Sequence, residues 1–180
     1  MKRRPKSAAL LRRHAVNLLD DFGFEKPPVP IKAIAEWLGI IVRFMPFRDN
    51  GDVSGMLFTK DDVSVIGVNS HHHQNRQRFT IAHEIGHFIL HKAKEIYIDT
   101  NFKVAVNLRD QSSSEATDAD EIEANRFAAE LLMPYDMIID DILKDGIDIE
   151  SETQISILAQ KYRVSRQAMA FRIQNILDSA

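Results

Sequence analysis

The sequence predicts an α+β fold. Helices come first, a small sheet of three or more strands follows, then a helix bearing a metal motif, and a helical hairpin closes the chain. Three observations predict this. Apolar residues recur at helical spacing near both ends, β-branched runs separated by turn residues fill the stretch from about residue 40 to 68, and His83-Glu84-x-x-His87 stands directly after them.

With 180 residues, 44% of them hydrophobic and 27% charged, the chain is expected to form one main domain with a packed core. A formal net charge of -3 gives no overall pull toward nucleic acid or an anionic membrane. There is no cysteine, which excludes disulfides and cysteine-based zinc sites and suits a reducing cytoplasm. No apolar run approaches the ~20 residues of a membrane span. The basic start Met1–Lys6 has no long apolar stretch behind it, so it reads as a solvated, frayed terminus and not as a secretory signal.

Ser7 to about Phe22 reads as a helix with Leu10, Leu11, Ala15, Leu18 and Leu19 on one stripe. A stiff Pro27-Pro28-Val29-Pro30 connector leads to a short helix from Ile31 to Leu38, which Gly39 ends. Ile40–Phe44, Val53–Phe58 and Val63–Val68 read as strands. Val53–Phe58 is the candidate edge strand, against which an extended peptide would pair. His71-His72-His73 is not a metal cluster, because consecutive side chains diverge by about 100° on a helix and alternate on a strand. Instead it should open the next helix, with Ser70 or Asn69 as cap and Arg76 and Arg78 toward solvent.

Phe79–His91 is the centre of the chain. His83 and His87 stand at i and i+4, on one face and one turn apart, where two imidazoles can hold one zinc ion. Glu84 lies beside them as candidate general base. Phe79, Ala82, Phe88 and Ile89 would bury this helix, and buried imidazoles need partners. His91 cannot be the third ligand on an unbroken helix. It would sit about 12 Å from His83, against zinc–nitrogen bonds near ~2 Å. It reads as a structural histidine at the helix end. Gly86, a mid-helix glycine, points to close approach of another element or of substrate.

From Tyr97 to Ala119 the chain is polar, a loop around a cleft with a candidate strand at Phe102–Leu108. Asp118–Pro134 follows as a strong helix whose apolar face is Ala124, Phe127, Ala128, Leu131 and Leu132. Glu121 and Asn125, at i and i+4, lie along its inner face. Glu121 is the candidate third ligand, and Asn125 would orient a zinc-bound histidine. Two alternatives stay open. Asp118-x-x-Glu121 also spells a capping box, and Glu123 is a second carboxylate about 200° away around the helix.

The tail, 136–180, is expected to be a helical extension packed on the metal domain of residues 1–135. Its stretch Gln154–Arg172 reads helix, turn, helix, with Ser165 as N-cap, and is like a helix-turn-helix reader whose Arg166, Gln167 and Arg172 would face DNA. The acidic run from Asp136 to Asp148 opposes phosphate binding. Packing, or docking of a repressor, is therefore the favoured use and DNA binding the disfavoured one.

Arg76–His87, followed by Glu121-x-x-Ala124-Asn125-x-Phe127-Ala128-Ala129-x-Leu131-Leu132-Met133-Pro134, resembles the ImmA/IrrE metallopeptidases. The Ser54-Gly55 strand and the stretch from Pro28 to Gly39 are similar to that family too. The resemblance implies a zincin-like domain and an intracellular zinc endopeptidase. One zinc would sit on His83, His87 and Glu121, Glu84 would be the base, and the substrate would be a helix-turn-helix repressor whose cleavage relieves repression of a mobile element or stress regulon. Tyr97, His91 and Arg109 are candidates for stabilising the oxyanion. The rival reading is a regulator that binds DNA or a repressor, with zinc only structural. Glu84 separates the two, since a structural zinc wants four protein ligands and no base.

Overall fold

The computed structural model describes residues 4–47, 53–91, 96–99 and 117–178. These form seven helices and four strands: α1 Ala8–Phe22, α2 Ile31–Trp37, β1 Ile40–Met45, β2 Gly55–Lys60, β3 Val63–Asn69, α3 Gln74–Leu90, β4 Ile96–Asp99, α4 Thr117–Leu132, α5 Tyr135–Asp145, α6 Glu152–Tyr162 and α7 Arg166–Leu177. No helix among the described residues is long and apolar enough to cross a membrane. The α+β class and the small sheet expected from the sequence are both present.

Local chemistry accounts for most boundaries. Ser7 caps α1 by accepting the Leu10 N–H, and Gly23 ends it in the left-handed region at φ 76°. Leu11, Ala15, Leu18 and Leu19 are its buried stripe. β2 and β3 form a hairpin turned at Asp61 and Asp62, both at positive φ (47° and 63°). Two left-handed residues are what a two-residue turn needs to follow the twist of its strands.

The sheet order is β1-β3-β2-β4. β1 runs parallel to β3, whereas β2 is antiparallel to both β3 and β4. The expected edge strand is therefore an inner one: β2 has a neighbour on each side, and among the described residues the outer positions belong to β1 and β4. Sequence could not reveal this, because the strand that covers β2, Ile96–Asp99, runs into the stretch from Tyr97 on that reads as loop. The candidate strand at Phe102–Leu108 lies outside the described residues.

One sheet face is apolar and carries α3. Val42, Ile66 and Leu57 lie in register across β1, β3 and β2, and all three are buried, as are Ile81 and Ile85 of α3. α4 packs on the other side of α3. The two helices meet where a Cβ on Gly86 would lie 3.1 Å from Ala124 Cα and 3.2 Å from the Ala124 carbonyl oxygen. The glycine is there for the close approach of another element, one of the two uses expected for it.

Several expectations about the surface are corrected. His73, not Ser70 or Asn69, caps α3 by accepting the Asn75 N–H, while Asn69 holds the preceding turn through the His71 N–H. Arg76 and Arg78 are half-buried. Arg76 donates to the Ser54 hydroxyl at 2.7 and 3.2 Å, and Arg78 donates to the carbonyls of Val29 (2.9 Å) and Arg163 (3.2 Å). Burial, then the neighbouring Arg163 charge, pulls the Arg78 guanidinium below its ordinary pKa. The basic start is not frayed at Lys6, which is tied to Glu123 on α4.

The C-terminal hairpin shares the core. Leu158, Tyr162, Met169, Ile173 and Ile176 are buried in the same apolar cluster as Phe127 and Leu131 of α4. Ser165 caps α7 as expected. Arg172 is 6% exposed and turns inward, donating to the Met133 carbonyl and to both oxygens of Glu130. It cannot face DNA. Arg166 pairs with Glu152 at the surface, and Gln167 is exposed.

Candidate metal centre

α3 and α4 bring the chemistry together. His83 and His87 project from one face of α3, and Glu121 reaches them from the first turns of α4. The two Nε2 atoms lie 2.9 Å apart. Glu121 Oε2 is 3.2 Å from His83 Nε2, and Oε1 is 3.3 Å from His87 Nε2. Donors bound tetrahedrally to one zinc at ~2.05 Å stand roughly 3.3 Å apart, so the spacing is that of three ligands around one ion. Among the described residues, this is the group of histidines and carboxylates close enough to share a metal.

The donor set fits a divalent cation. Asn125 Oδ1 can only accept, so the 2.9 Å contact with His83 Nδ1 puts the ring's proton on Nδ1 and a lone pair on Nε2. That lone pair faces a second imidazole nitrogen and a carboxylate in a buried place, an arrangement that needs positive charge at its centre. Burial alone would raise the Glu121 carboxyl, but its close contacts with the His83 and His87 rings outweigh that and hold the group ionised, below its ordinary range. Burial outweighs the opposing pull of Glu121 and keeps His87 below the usual histidine value and so neutral, as a ligand must be.

Glu84 follows His83 on α3 and is fully buried. Its Oε1 lies 3.3 Å from where a Cβ on Gly55 would stand, and the methyl of Thr80 lies 2.3 Å from the same point. Only a residue without a side chain lets the start of β2 come so close over α3. Gly55 pairs with Asp99, which carries the sheet on to β4.

The proposed ligands and their neighbours from sequence can each be placed. His83, His87, Glu121 and Asn125 come together, and Glu84 adjoins them. Glu123, the alternative ligand, points elsewhere: its carboxylate meets Lys6 and His91. Glu121 does not spend its carboxylate on a capping box; both oxygens meet histidines. His91 is buried at the end of α3, with Nδ1 3.0 Å from His87 Nδ1. Of the oxyanion candidates, the Tyr97 side chain and Arg109 lie outside the described residues. Two participants were missed. Ser54, which anchors Arg76, had no signal beyond its place before Gly55. Lys6 had none at all.

Fold and donor set together make an α+β domain with a candidate His-His-Glu metal site between two packed helices. The chain belongs to the peptidase M78 family, described as the IrrE N-terminal-like domain, which matches residues 35–174. No curated protein matches the sequence. Among solved structures, a Mycobacterium tuberculosis transcriptional regulator is similar in fold, with a TM-score of 0.57 and 19% identity, covering 88% of this chain and 45% of that one. The chain thus spans under half of that regulator's length, and the likeness is one of fold.

Proposed function

We propose that this chain is a cytoplasmic zinc endopeptidase whose substrate is a helix-turn-helix repressor, cleaved to relieve repression. The observation that carries the catalytic part is the convergence of His83, His87 and Glu121 with Glu84 buried beside them. Three protein ligands leave a coordination position open, and an acid–base group stands next to it. Zinc held there supplies a Lewis acid that lowers the pKa of water toward ~7 and polarises a carbonyl.

The chain's own residues do the rest. Glu84 accepts a proton from the attacking water as the new C–O bond forms, then passes it to the leaving nitrogen as the C–N bond breaks. Its burial strengthens both transfers by excluding competing water. Asn125 holds the His83 ring in its metal-binding tautomer. Among the described residues β4, joined to Gly55 through Asp99, is the outer strand nearest Glu84, where an extended substrate segment would add to the sheet.

The repressor substrate rests on the family and on the regulator name of the structural relative. The rival, a regulator that binds DNA or a repressor with zinc only structural, gives Glu84 no task. It also loses Arg172 from its DNA-facing set.

The test is the zinc content of the purified chain, together with a search for new N-termini in a bacterial peptide library by mass spectrometry. One zinc per chain, its loss in Glu121→Ala, and cleavages absent in Glu84→Gln are expected. Unchanged cleavage by Glu84→Gln would overturn the mechanism, and a parent without zinc would favour the binding regulator.

A further inference from the structure

The two metal-facing imidazoles are supported differently behind their rings. His83 Nδ1 meets the amide oxygen of Asn125, but His87 Nδ1 meets another imidazole nitrogen, His91 Nδ1, at 3.0 Å. Two neutral rings can share that contact only if one nitrogen donates and the other accepts. His91 decides which. Its Nε2 lies 3.1 Å from Glu123 Oε2 and 3.6 Å from Asp120 Oδ1. A lone pair aimed at two carboxylates would be repelled, so Nε2 carries the proton. His91 Nδ1 then accepts, His87 Nδ1 donates, and His87 Nε2 keeps the lone pair that a metal requires.

Glu123 therefore stands upstream of the His87 tautomer. It is fully buried, and a buried carboxylate is unfavourable without donors. Lys6 supplies two of them. Its backbone N–H donates to Oε1 at 2.7 Å, and its ammonium donates to Oε2 at 2.6 Å. The same ammonium reaches the Leu90 carbonyl at 3.3 Å, at the end of α3 where carbonyls lack helical partners. One side chain ahead of α1 thus joins the end of α3 to Glu123 of α4. A cation already sits on Glu123, which argues against a second metal there.

We propose that Lys6, Glu123 and His91 form a relay of positioning residues that fixes His87 as its Nδ1-protonated tautomer and thereby sets the affinity of the His83–His87–Glu121 centre for its metal. The proposal rests on the reading of that cluster as a metal centre. It makes the segment before α1 part of the site, although none of the three residues touches the metal. Loss of the Lys6 ammonium weakens metal binding while every ligand stays in place.

The experiment uses zinc alone as the probe, in competition with a chromophoric chelator at fixed neutral pH. The proteins are the parent, Lys6→Met, Lys6→Arg and Glu123→Gln, each also melted without metal. Support behind a ligating histidine is typically worth about 10–100-fold in metal affinity. Lys6→Met and Glu123→Gln are expected to lose about 10-fold or more, with partial recovery in Lys6→Arg. Nitrogen-15 spectra of the parent should show His91 protonated on Nε2 and, with zinc, His87 protonated on Nδ1. These spectra and Lys6→Met decide the matter even if Glu123→Gln fails to fold.

Zinc affinities within twofold of the parent, with lower melting temperatures, would make the three residues merely structural and overturn the relay. So would a His91 ring protonated on Nδ1. A parent that binds no zinc would overturn the metal reading and the relay together; a parent that binds zinc while the variants match it overturns the relay alone.

Discussion

Gly86→Ala asks whether bare backbone sets the distance between α3 and α4. Two effects oppose each other. Alanine in place of a mid-helix glycine favours the helix by about 1 kcal/mol. Against that, the new methyl would lie 3.1 Å from Ala124 Cα, 3.2 Å from Ala124 O and 3.2 Å from Phe127 Cδ1. Carbon contacts are comfortable from ~3.5 Å, so the helices must part by roughly 0.3–0.4 Å, or buried Phe127 must turn. Overpacking of this kind costs about 1–3 kcal/mol. The balance is a loss of up to about 2 kcal/mol, and each kcal/mol lowers Tm by about 2–4 °C in a chain of this size. The metal centre should respond more steeply than the fold, because Glu121 stands one turn before Ala124 and moves away from both Nε2 atoms as α4 recedes. Melting of the metal-free protein and zinc competition measure the two effects separately. A variant that melts higher by the full propensity gain and binds zinc as the parent does would refute the close crossing.

Glu84→Gln should keep fold and zinc content and lose peptide cleavage; loss of zinc in this variant would assign Glu84 to the metal instead. Gly55→Ala should be worse tolerated than Gly86→Ala, since its Cβ would stand 2.3 Å from the Thr80 methyl; equal melting temperatures would contradict that ranking. Glu130→Gln leaves the buried Arg172 charge without its carboxylate and should cost about 3–5 kcal/mol by chemical denaturation, a figure that a loss under 1 kcal/mol would refute. Burial keeps His87 and His91 below the ordinary histidine pKa, so the unfolded chain takes up protons first as pH falls. Metal-free stability should therefore be full above pH ~6.5 and decline below it. Denaturation curves at three pH values check this, and stability that rises on acidification would show the sign to be wrong.

The ligand set could be read from the sequence because it follows helical spacing. His83 and His87 share one face of α3, Glu121 and Asn125 share one face of α4, and alanines mark where the two faces meet. The hidden parts depend on which elements become neighbours in space. β2 looked like an edge because its cover, β4, is four residues long in a polar stretch. Arg76 and Arg78 looked like solvent residues because their acceptors, Ser54, Val29 and Arg163, lie on three other elements. Lys6 and Glu123 are 117 positions apart, and no local pattern couples them. Arg172 sat at a plausible DNA-facing position, and only the packing of α7 against Glu130 turned it inward.

The clamp that Arg172 makes also dictates where this chain can change length. Its guanidinium spans the Met133 carbonyl and the Glu130 carboxylate, so α7 can hold only one rotational setting. Losing or gaining one residue within α7 between its cap Ser165 and Arg172 would turn the guanidinium by about 100° around the helix axis and carry it out of reach. The neighbouring connection from Gly146 to Ser151 has three exposed residues, Gly146, Asp148 and Glu150, while Ile147 and Ile149 pack against the core. Changes of length should therefore be rejected between Ser165 and Arg172, and tolerated between α5 and α6 only where they spare Ile147 and Ile149.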